Sequence, residues 1–358
     1  MIDTHVHCRD GEQSYKETIP HALSVADRAG YTMIMDIPNL KVPVTGREGA
    51  LRRLDIAEKA KSNVIYGMYL ILTKDPAQIK EAVAAYNELK YRQGCRTFVA
   101  GLKLFAGQST GDSGIVEPSD QFKVYQCVSG EGFDGVTLVH CEMESDFAKE
   151  AWDHNEPITH AYARPWKSEV SSVNAQIINS VRAGYTGRLH IAHVSVPRAL
   201  DLVEMAHSMG VRIAAEITPH HRLFDLSVMS RPDGLNYKMN PPLRSKEMAY
   251  GLHQFLVDER MDYVWIASDH APHTLKEKME PPHDSGIPGL YFIPKFARIL
   301  EKMGVSKKRV EDLTFNNAAK AFGLTGLKPR RVVVLEETLK KLAAEYEFDP
   351  YHEFWTMR

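Results

Sequence analysis

Eight short apolar runs, rich in β-branched and aromatic residues, recur along the chain at fairly even intervals and alternate with segments of helical periodicity. This alternation predicts parallel βα units rather than hairpins. Eight such units over about 300 residues are typical of a (β/α)8 TIM barrel. The runs span residues 1–7, 31–38, 63–72, 97–105, 136–142, 188–195, 212–219 and 263–272.

Polar residues collect at the C-terminal ends of these runs, where enzymes with this fold carry their reacting groups. Random scatter would also place polar residues at the starts of the runs, so the clustering predicts a functional site at one mouth of the barrel. The residues are His5, His7, Asn39, Lys103, His140, His193, Thr218, His220, Asp269 and His273.

A divalent metal is the first prediction for this site. His5 and His7 are two positions apart on a predicted strand, so their side chains share a face. Two buried, hydrogen-bonded strand histidines would be the ordinary structural alternative. His140, His193 and Asp269 end three other runs and add imidazole and carboxylate ligands that suit zinc and similar ions. Convergence of all five favours the metal.

Lys103 is the exceptional polar residue, because an ammonium group on an inward face beside metal cations would be repelled and poorly solvated. An ion-paired barrel lysine is one explanation. The other is that a neutral Lys103 has reacted with carbon dioxide. The resulting carbamate is an anion whose two oxygens can bridge two metals.

Neighbouring polar residues carry weaker expectations. His190 lies an odd number of positions from His193, so we expect it to face the outer helices and to be structural. His220, His221 and Glu142 either orient metal ligands or belong to ordinary loops.

The segments DTHVHCRDG (3–11) and ASDHAPHTLKEK (267–278) resemble the two signature segments of dihydroorotases in the amidohydrolase superfamily. DIPN (36–39), GLKLF (101–105) and KMNPPLR (238–244) are similar to further stretches of that family. The resemblance implies a metal-dependent hydrolase barrel that interconverts L-dihydroorotate and N-carbamoyl-L-aspartate in pyrimidine biosynthesis.

The resemblance also implies roles for single residues. Two divalent ions, usually zinc, would activate a bridging hydroxide that attacks the ring carbonyl. Asp269 would act as general base and then as general acid. Arg9 would offer a cationic fork to the substrate carboxylate. The implied metal ligands are His5, His7 and Asp269 for one ion and His140 and His193 for the other, with carbamylated Lys103 bridging; the implied substrate contacts are Arg9, Asn39, His273, Asn240, Pro288 and Gly289.

We divide the chain into a barrel over residues 1–325 and a tail over residues 326–358. Many amidohydrolases carry a flanking β-sandwich, which we expect to be missing or reduced here because the first run begins at Met1. The tail holds one β-like run and one amphipathic helix, and we expect it to pack on the barrel or on a partner subunit. Tyr291 departs from the family, which often has a glutamate there.

Composition limits the alternatives. A net charge of −2 does not suggest an extensive nucleic-acid surface. No apolar stretch reaches the roughly 18 residues of a membrane span, and the first residues do not resemble a secretory signal. The four cysteines are scattered without a CxxC pair. We therefore expect a cytoplasmic enzyme with a small-molecule substrate, and a homodimer is compatible with the sequence.

Two competing functions remain. A hydantoinase or allantoinase would use the same metals with other substrate contacts, but a hydantoin without a carboxylate gives Arg9 and His273 no partner. A non-catalytic barrel could instead serve as a scaffold for a carbamoyltransferase. Such a chain should have lost metal ligands, whereas this sequence keeps all of them.

Overall fold

The computed structural model describes residues 1–109 and 113–356, and its strands form one sheet in sequential order. Every neighbouring pair of strands is parallel. Each predicted run overlaps one strand. The strands are β1 (Ile2–Val6), β2 (Met33–Asp36), β3 (Ile65–Ile71), β4 (Thr97–Ala106), β5 (Val136–Cys141), β6 (Arg188–Ile191), β7 (Ile213–Ile217) and β8 (Val264–Ile266).

The sheet curls into a barrel whose first and last strands meet just beyond β8. The N–H of His7 donates to the carbonyl oxygen of His270 at 2.8 Å, and Val6 forms a parallel bridge with His270. The predicted (β/α)8 barrel is thereby confirmed.

Helices cover the outside of the barrel, and several begin at side chains that cap a helix N-terminus. Thr18, Asp75 and Ser245 each accept a hydrogen bond from a backbone N–H in the first turn. Within residues 1–109 and 113–356, no helix combines the length and apolar character needed to cross a membrane. The helices are α1 (Ile19–Arg28), α2 (Arg47–Lys59), α3 (Pro76–Leu89), α4 (Pro118–Gly130), α5 (His160–Ala163), α6 (Trp166–Arg182), α7 (Pro197–Ser208), α8 (Pro219–Leu223), α9 (Lys246–Gly251), α10 (His253–Val257), α11 (Leu275–Met279), α12 (Ile293–Lys302), α13 (Lys307–Glu311), α14 (Asn317–Ala321) and α15 (Glu336–Ala343).

An irregularity in β1 directs its side chains. The pairing register with β2 shifts between Asp3 and Val6. Thr4 and His5 are adjacent in sequence, yet both contact the carboxylate of Glu216 inside the barrel. A regular strand would send adjacent side chains to opposite faces, so the irregularity is what allows both to point inward.

The tail lies against the barrel. Its predicted helix is α15, but the β-like run at 332–334 is not a strand. The Val334 carbonyl instead accepts a hydrogen bond from Arg298. Further along, the Tyr291 hydroxyl donates to Asp349 at 2.6 Å, and the Tyr351 ring stacks on Phe292 with centroids 3.9 Å apart.

Candidate active site

One pocket lies at the C-terminal ends of the strands. It gathers residues from β1, β4 and β5 with residues from the segments after β1, β2, β4, β6, β7 and β8, which are far apart in sequence. The described residues that line it are His5, His7, Arg9, Asn39, Lys103, Phe105, Ser109, His140, His193, Met239, Asn240, Asp269, Ala271, Ser285 and Gly286.

His5 and His7 point their Nε2 atoms at the same carboxylate oxygen of Asp269, at 3.1 and 3.3 Å. The Nδ1 atom of His5 faces a carboxylate oxygen of Glu216, and the Nδ1 atom of His7 faces the side-chain oxygen of Asn39 at 2.8 Å. Both oxygens accept hydrogen bonds. In a neutral ring, each Nδ1 would therefore carry the proton and each Nε2 the lone pair. Burial lowers the pKa of His7 to about 4, which keeps that ring neutral. Two lone pairs and a carboxylate that face one another form a set of donors suited to a cation.

His140 and His193 form a second pair of rings in the pocket. His140 Nε2 lies 3.0 Å from Glu142, and although burial raises the pKa of Glu142, ion pairing with Arg164 holds it well below its usual range. The proton of His140 therefore sits on Nε2, and its Nδ1 lone pair faces His193 Nε2 at 3.1 Å. His193 Nδ1 is buried, without a hydrogen-bond partner among the described residues.

Backbone conformation brings these side chains together. His193 and Asp269 lie just beyond β6 and β8 and have φ angles of 32° and 45°. Residues with a Cβ rarely adopt positive φ, and each instance costs about 1–3 kcal/mol. The result is that ligand atoms of His5, His193 and Asp269 lie within 4.8 Å of one another.

Lys103 lines the same pocket and is fully buried. Its Nζ lies 4.8 Å from the ring centroid of Phe105 and has no hydrogen-bond partner in the part of the chain that the structure describes. Burial lowers the pKa of Lys103 to about 8. A buried amine without a hydrogen-bond partner lowers the stability of the folded protein. A further group attached to the nitrogen or bound beside it would remove this cost.

Arg9 is buried beside the histidines, with a relative exposure of 2%. Its Nη1 donates to Asn39 at 3.3 Å and its Nη2 lies 3.0 Å from His273 Nε2. His273 Nδ1 faces Asp284 at 3.0 Å, so in a neutral ring the proton lies on Nδ1. Its Nε2 then accepts from Arg9, although this nitrogen also lies 3.1 Å from the Ser285 carbonyl oxygen. Among residues 1–109 and 113–356, no carboxylate forms an ion pair with this guanidinium, which leaves a buried cation suited to an anionic ligand.

The predicted contacts to the ring amide are only partly brought into the pocket. Asn240 lines it, with its Oδ1 at 2.9 Å from His160 Nε2. Pro288 and Gly289 are not among the described lining residues. The Gly289 N–H donates to His270 Nδ1 at 3.0 Å. Ser285 and Gly286 line the pocket instead, three residues earlier in the chain.

The predicted orientation of His190 towards the outer helices is wrong. Its Nε2 lies 3.2 Å from Glu216, and its ring lies 4.4 Å from that of Trp265. Glu216 also reaches Thr4 on β1, which is possible only through the barrel interior. The argument from His193 failed because β6 ends at Ile191 and the positive φ at His193 breaks the alternation of side chains.

The sequence left open whether Glu142, His220 and His221 orient metal ligands or belong to ordinary loops. Glu142 contacts the predicted ligand His140, as described above. His221 Nε2 lies 3.0 Å from the Pro241 carbonyl, and His220 Nδ1 lies 3.4 Å from the Tyr351 hydroxyl. Sequence reasoning missed Glu216 altogether, although a glutamate within the apolar run of residues 212–219 was a signal for a buried polar contact.

The chain was compared with protein-family models, with curated sequences and with solved structures. No protein-family model matches the chain. It is 33% identical to a dihydroorotase of Halobacterium salinarum over 334 residues, which cover 90% of this chain and 71% of that protein. The L-hydantoinase from Arthrobacter aurescens superposes with a TM-score of 0.78 at 21% identity, covering 93% of this chain and 72% of that chain. The dihydroorotase of Saccharomyces cerevisiae, in complex with 5-fluoroorotic acid, gives 0.71 at 18% identity, covering 91% and 84%.

Proposed function

Because the chain belongs to the dihydroorotase family, we propose that it catalyses the reversible hydrolysis of L-dihydroorotate to N-carbamoyl-L-aspartate in pyrimidine biosynthesis. The observation that carries this proposal is the content of one pocket. Imidazole lone pairs converge there on Asp269, and the buried guanidinium of Arg9 forms no ion pair with a carboxylate of the described residues. The first feature suits metal-assisted hydrolysis, and the second suits a substrate with a carboxylate.

Two divalent ions, most simply zinc, fit the donors of this pocket. The fit is supported by the converging lone pairs and by the buried nitrogens of Lys103 and His193 that lack partners among the described residues. When bound, such ions lower the pKa of coordinated water and polarise the ring carbonyl. The residues that would hold them are His5, His7 and Asp269 for one ion and His140 and His193 for the other, with carbamylated Lys103 shared by both.

The state of the Lys103 amine supports its carbamylation. A pKa lowered to about 8 by burial leaves an appreciable neutral fraction near neutral pH. The neutral nitrogen adds to the carbon of carbon dioxide, forms an N–C bond and releases one proton. The product is an anion, which removes the difficulty of a cationic lysine in a cation site.

Asp269 is the proton carrier in this proposal. Its carboxylate accepts a proton from the attacking water as the water oxygen adds to the ring carbonyl. When the ring C–N bond breaks, the same carboxyl group delivers that proton to the departing nitrogen. Ring closure runs through the same groups in reverse.

Arg9 orients the substrate by its carboxylate. The guanidinium is fixed by Asn39 and His273 and keeps other N–H groups for an anion. A parallel pair of hydrogen bonds to a carboxylate would neutralise the buried charge and set the angle of the ring. A hydantoin without a carboxylate would leave that charge uncompensated, and this favours dihydroorotate over hydantoin.

Cellular context and partners are further proposals. The cysteines are free, which is compatible with a reducing compartment such as the cytoplasm. A homodimer and an association with a carbamoyltransferase follow only from the family resemblance. Sedimentation of the purified protein, alone and with a carbamoyltransferase from the same source, would test both.

The experiment that tests the function is a two-direction assay. Hydrolysis of L-dihydroorotate is measured at alkaline pH and ring closure of N-carbamoyl-L-aspartate at acidic pH, before and after dialysis against a chelator. We expect both reactions, loss of both after chelation and recovery with zinc. Faster turnover of hydantoin or allantoin than of dihydroorotate would favour the competing function, and no turnover of any cyclic amide would favour a scaffold.

A further inference from the structure

Glu216 on β7 is a fully buried carboxylate directly behind the proposed metal ligands. Its Oε2 accepts a hydrogen bond from the Thr4 hydroxyl at 2.9 Å. Its Oε1 accepts one from His5 Nδ1 and another, at 3.2 Å, from the backbone N–H of His193. Thr4 is itself fixed, because its Oγ1 accepts a hydrogen bond from Trp265 Nε1 at 2.8 Å. The carboxylate therefore has little freedom to move.

We infer that Glu216 is a positioning residue that couples the two proposed metal sites. One of its oxygens contacts a ligand of each site: His5 for the first ion and His193 for the second. A shift of this oxygen would therefore move donors on both sides together. This inference rests on the metal pair of the proposed function.

The contact with His5 fixes which nitrogen binds metal. As long as Glu216 accepts from Nδ1, the lone pair of a neutral His5 stays on Nε2, the atom that faces Asp269 at 3.1 Å. Hydrogen bonds of this kind hold the ring orientation of metal-ligating histidines and increase their basicity. Without the carboxylate, the other tautomer becomes accessible and places a proton where the metal should bind.

The contact with His193 supports its backbone. A φ of 32° is an unfavourable conformation for a histidine, and the hydrogen bond from its N–H to Glu216 helps to hold the residue there. That conformation turns the side chain into the pocket after β6 has ended. Glu216 thus acts on His5 through a ring nitrogen and on His193 through the main chain.

A purely structural role would give a different result. Glu216 also lies 3.2 Å from His190, so the carboxylate contributes to a buried polar cluster beneath the pocket. If that were its whole role, its replacement would lower the stability of the metal-free protein and leave the metal affinity of the folded molecules unchanged. Metal affinity and apoprotein stability therefore have to be measured separately.

The test uses Glu216→Gln, which keeps the size of the side chain but removes its charge and one accepting oxygen. Glu216→Asp, which keeps the charge and shortens the reach, is measured in parallel. Glu169→Gln is the matched control, because Glu169 is a buried glutamate that pairs with Ser195 and Arg244 rather than with a proposed ligand. Zinc dissociation constants are determined by competition with a chromophoric chelator, and thermal unfolding is recorded for each metal-free protein.

We expect the dissociation constant for zinc to rise about 10–100-fold in both Glu216 variants and to stay near the parent value in the control. The metal-free Gln variant should unfold somewhat below the parent temperature because it loses contacts in the buried cluster, so zinc affinities are compared at a temperature at which all the metal-free proteins are folded. A folded Glu216 variant that binds zinc as tightly as the parent overturns the inference, and so does a parent protein that binds no zinc. If the parent binds zinc but does not turn over dihydroorotate, the proposed function fails while the inference stands.

Discussion

Replacing Arg9 by methionine gives the most direct test of how the substrate is recognised. A guanidinium has five N–H donors. One N–H of Nη1 is directed to Asn39 and one of Nη2 to His273, which leaves three, and two of these can bind a carboxylate in parallel. Hydrogen bonds involving charged groups contribute about 1.5–3 kcal/mol each. Taking the low end of that range for both bonds gives about 3 kcal/mol, or roughly a 100-fold loss of kcat/KM.

We expect this loss to appear mainly as an increase in KM. The carboxylate does not change charge during hydrolysis, so Arg9 binds the ground state and the transition state nearly equally. Metal content, measured by elemental analysis, should stay at the parent level because Arg9 is not a proposed ligand. Arg9→Lys keeps the positive charge but cannot form two parallel hydrogen bonds, so its KM should lie between those of the parent and of Arg9→Met.

A second substrate separates recognition from structural damage. Dihydrouracil has the same ring without the carboxylate, so its hydrolysis, however slow, should be the same in the parent and in Arg9→Met. An unchanged KM for dihydroorotate would mean that the carboxylate binds elsewhere. An equal loss for both rings would mean that Arg9 only maintains the shape of the pocket.

Three further predictions address the metals, the proton and the stability. Lys103→Ala should lose metal and activity and regain part of both with short carboxylic acids; full activity without them would exclude the carbamate. Asp269→Asn should lose a larger fraction of its turnover rate than of its bound metal when both are measured on the same sample. A normal rate would remove Asp269 from proton transfer. Burial raises the pKa of Glu169 from 4.5 to about 7, so the folded state keeps its proton longer than the unfolded state and this contribution to stability is lost as pH rises from 4.5 to 7. When urea unfolding is measured at pH 4.5 and at pH 7, the free energy of unfolding should fall by up to ~3 kcal/mol more in the parent than in Glu169→Gln. Equal decreases in the two proteins would refute the assignment.

The sequence predicted the barrel well because strand and helix periodicities are local properties. Each run from 1–7 to 263–272 overlaps a strand, and the strand-end rule brought His5, Lys103 and His140 into one pocket. Strand alternation predicted His190 wrongly, because no local pattern reveals that β6 stops at Ile191. The contact from the Gly289 N–H to His270 joins two loops, and sequence spacing does not show such contacts either.

The departures from regular structure are concentrated where the proposed ligands lie, and this has a physical reason. In a regular barrel each interior layer takes its side chains from alternate strands, so donors at the ends of β1, β6 and β8 would not all lie in one layer. A register shift in β1 and positive φ at His193 and Asp269 bring donors from three parts of the barrel within reach of one ion. Glycine would adopt those φ angles without strain, but it has no side chain to offer as a ligand. The strain therefore persists because the imidazole and the carboxylate are needed at these two positions, and contacts such as the Glu216 bond to the His193 N–H hold it in place.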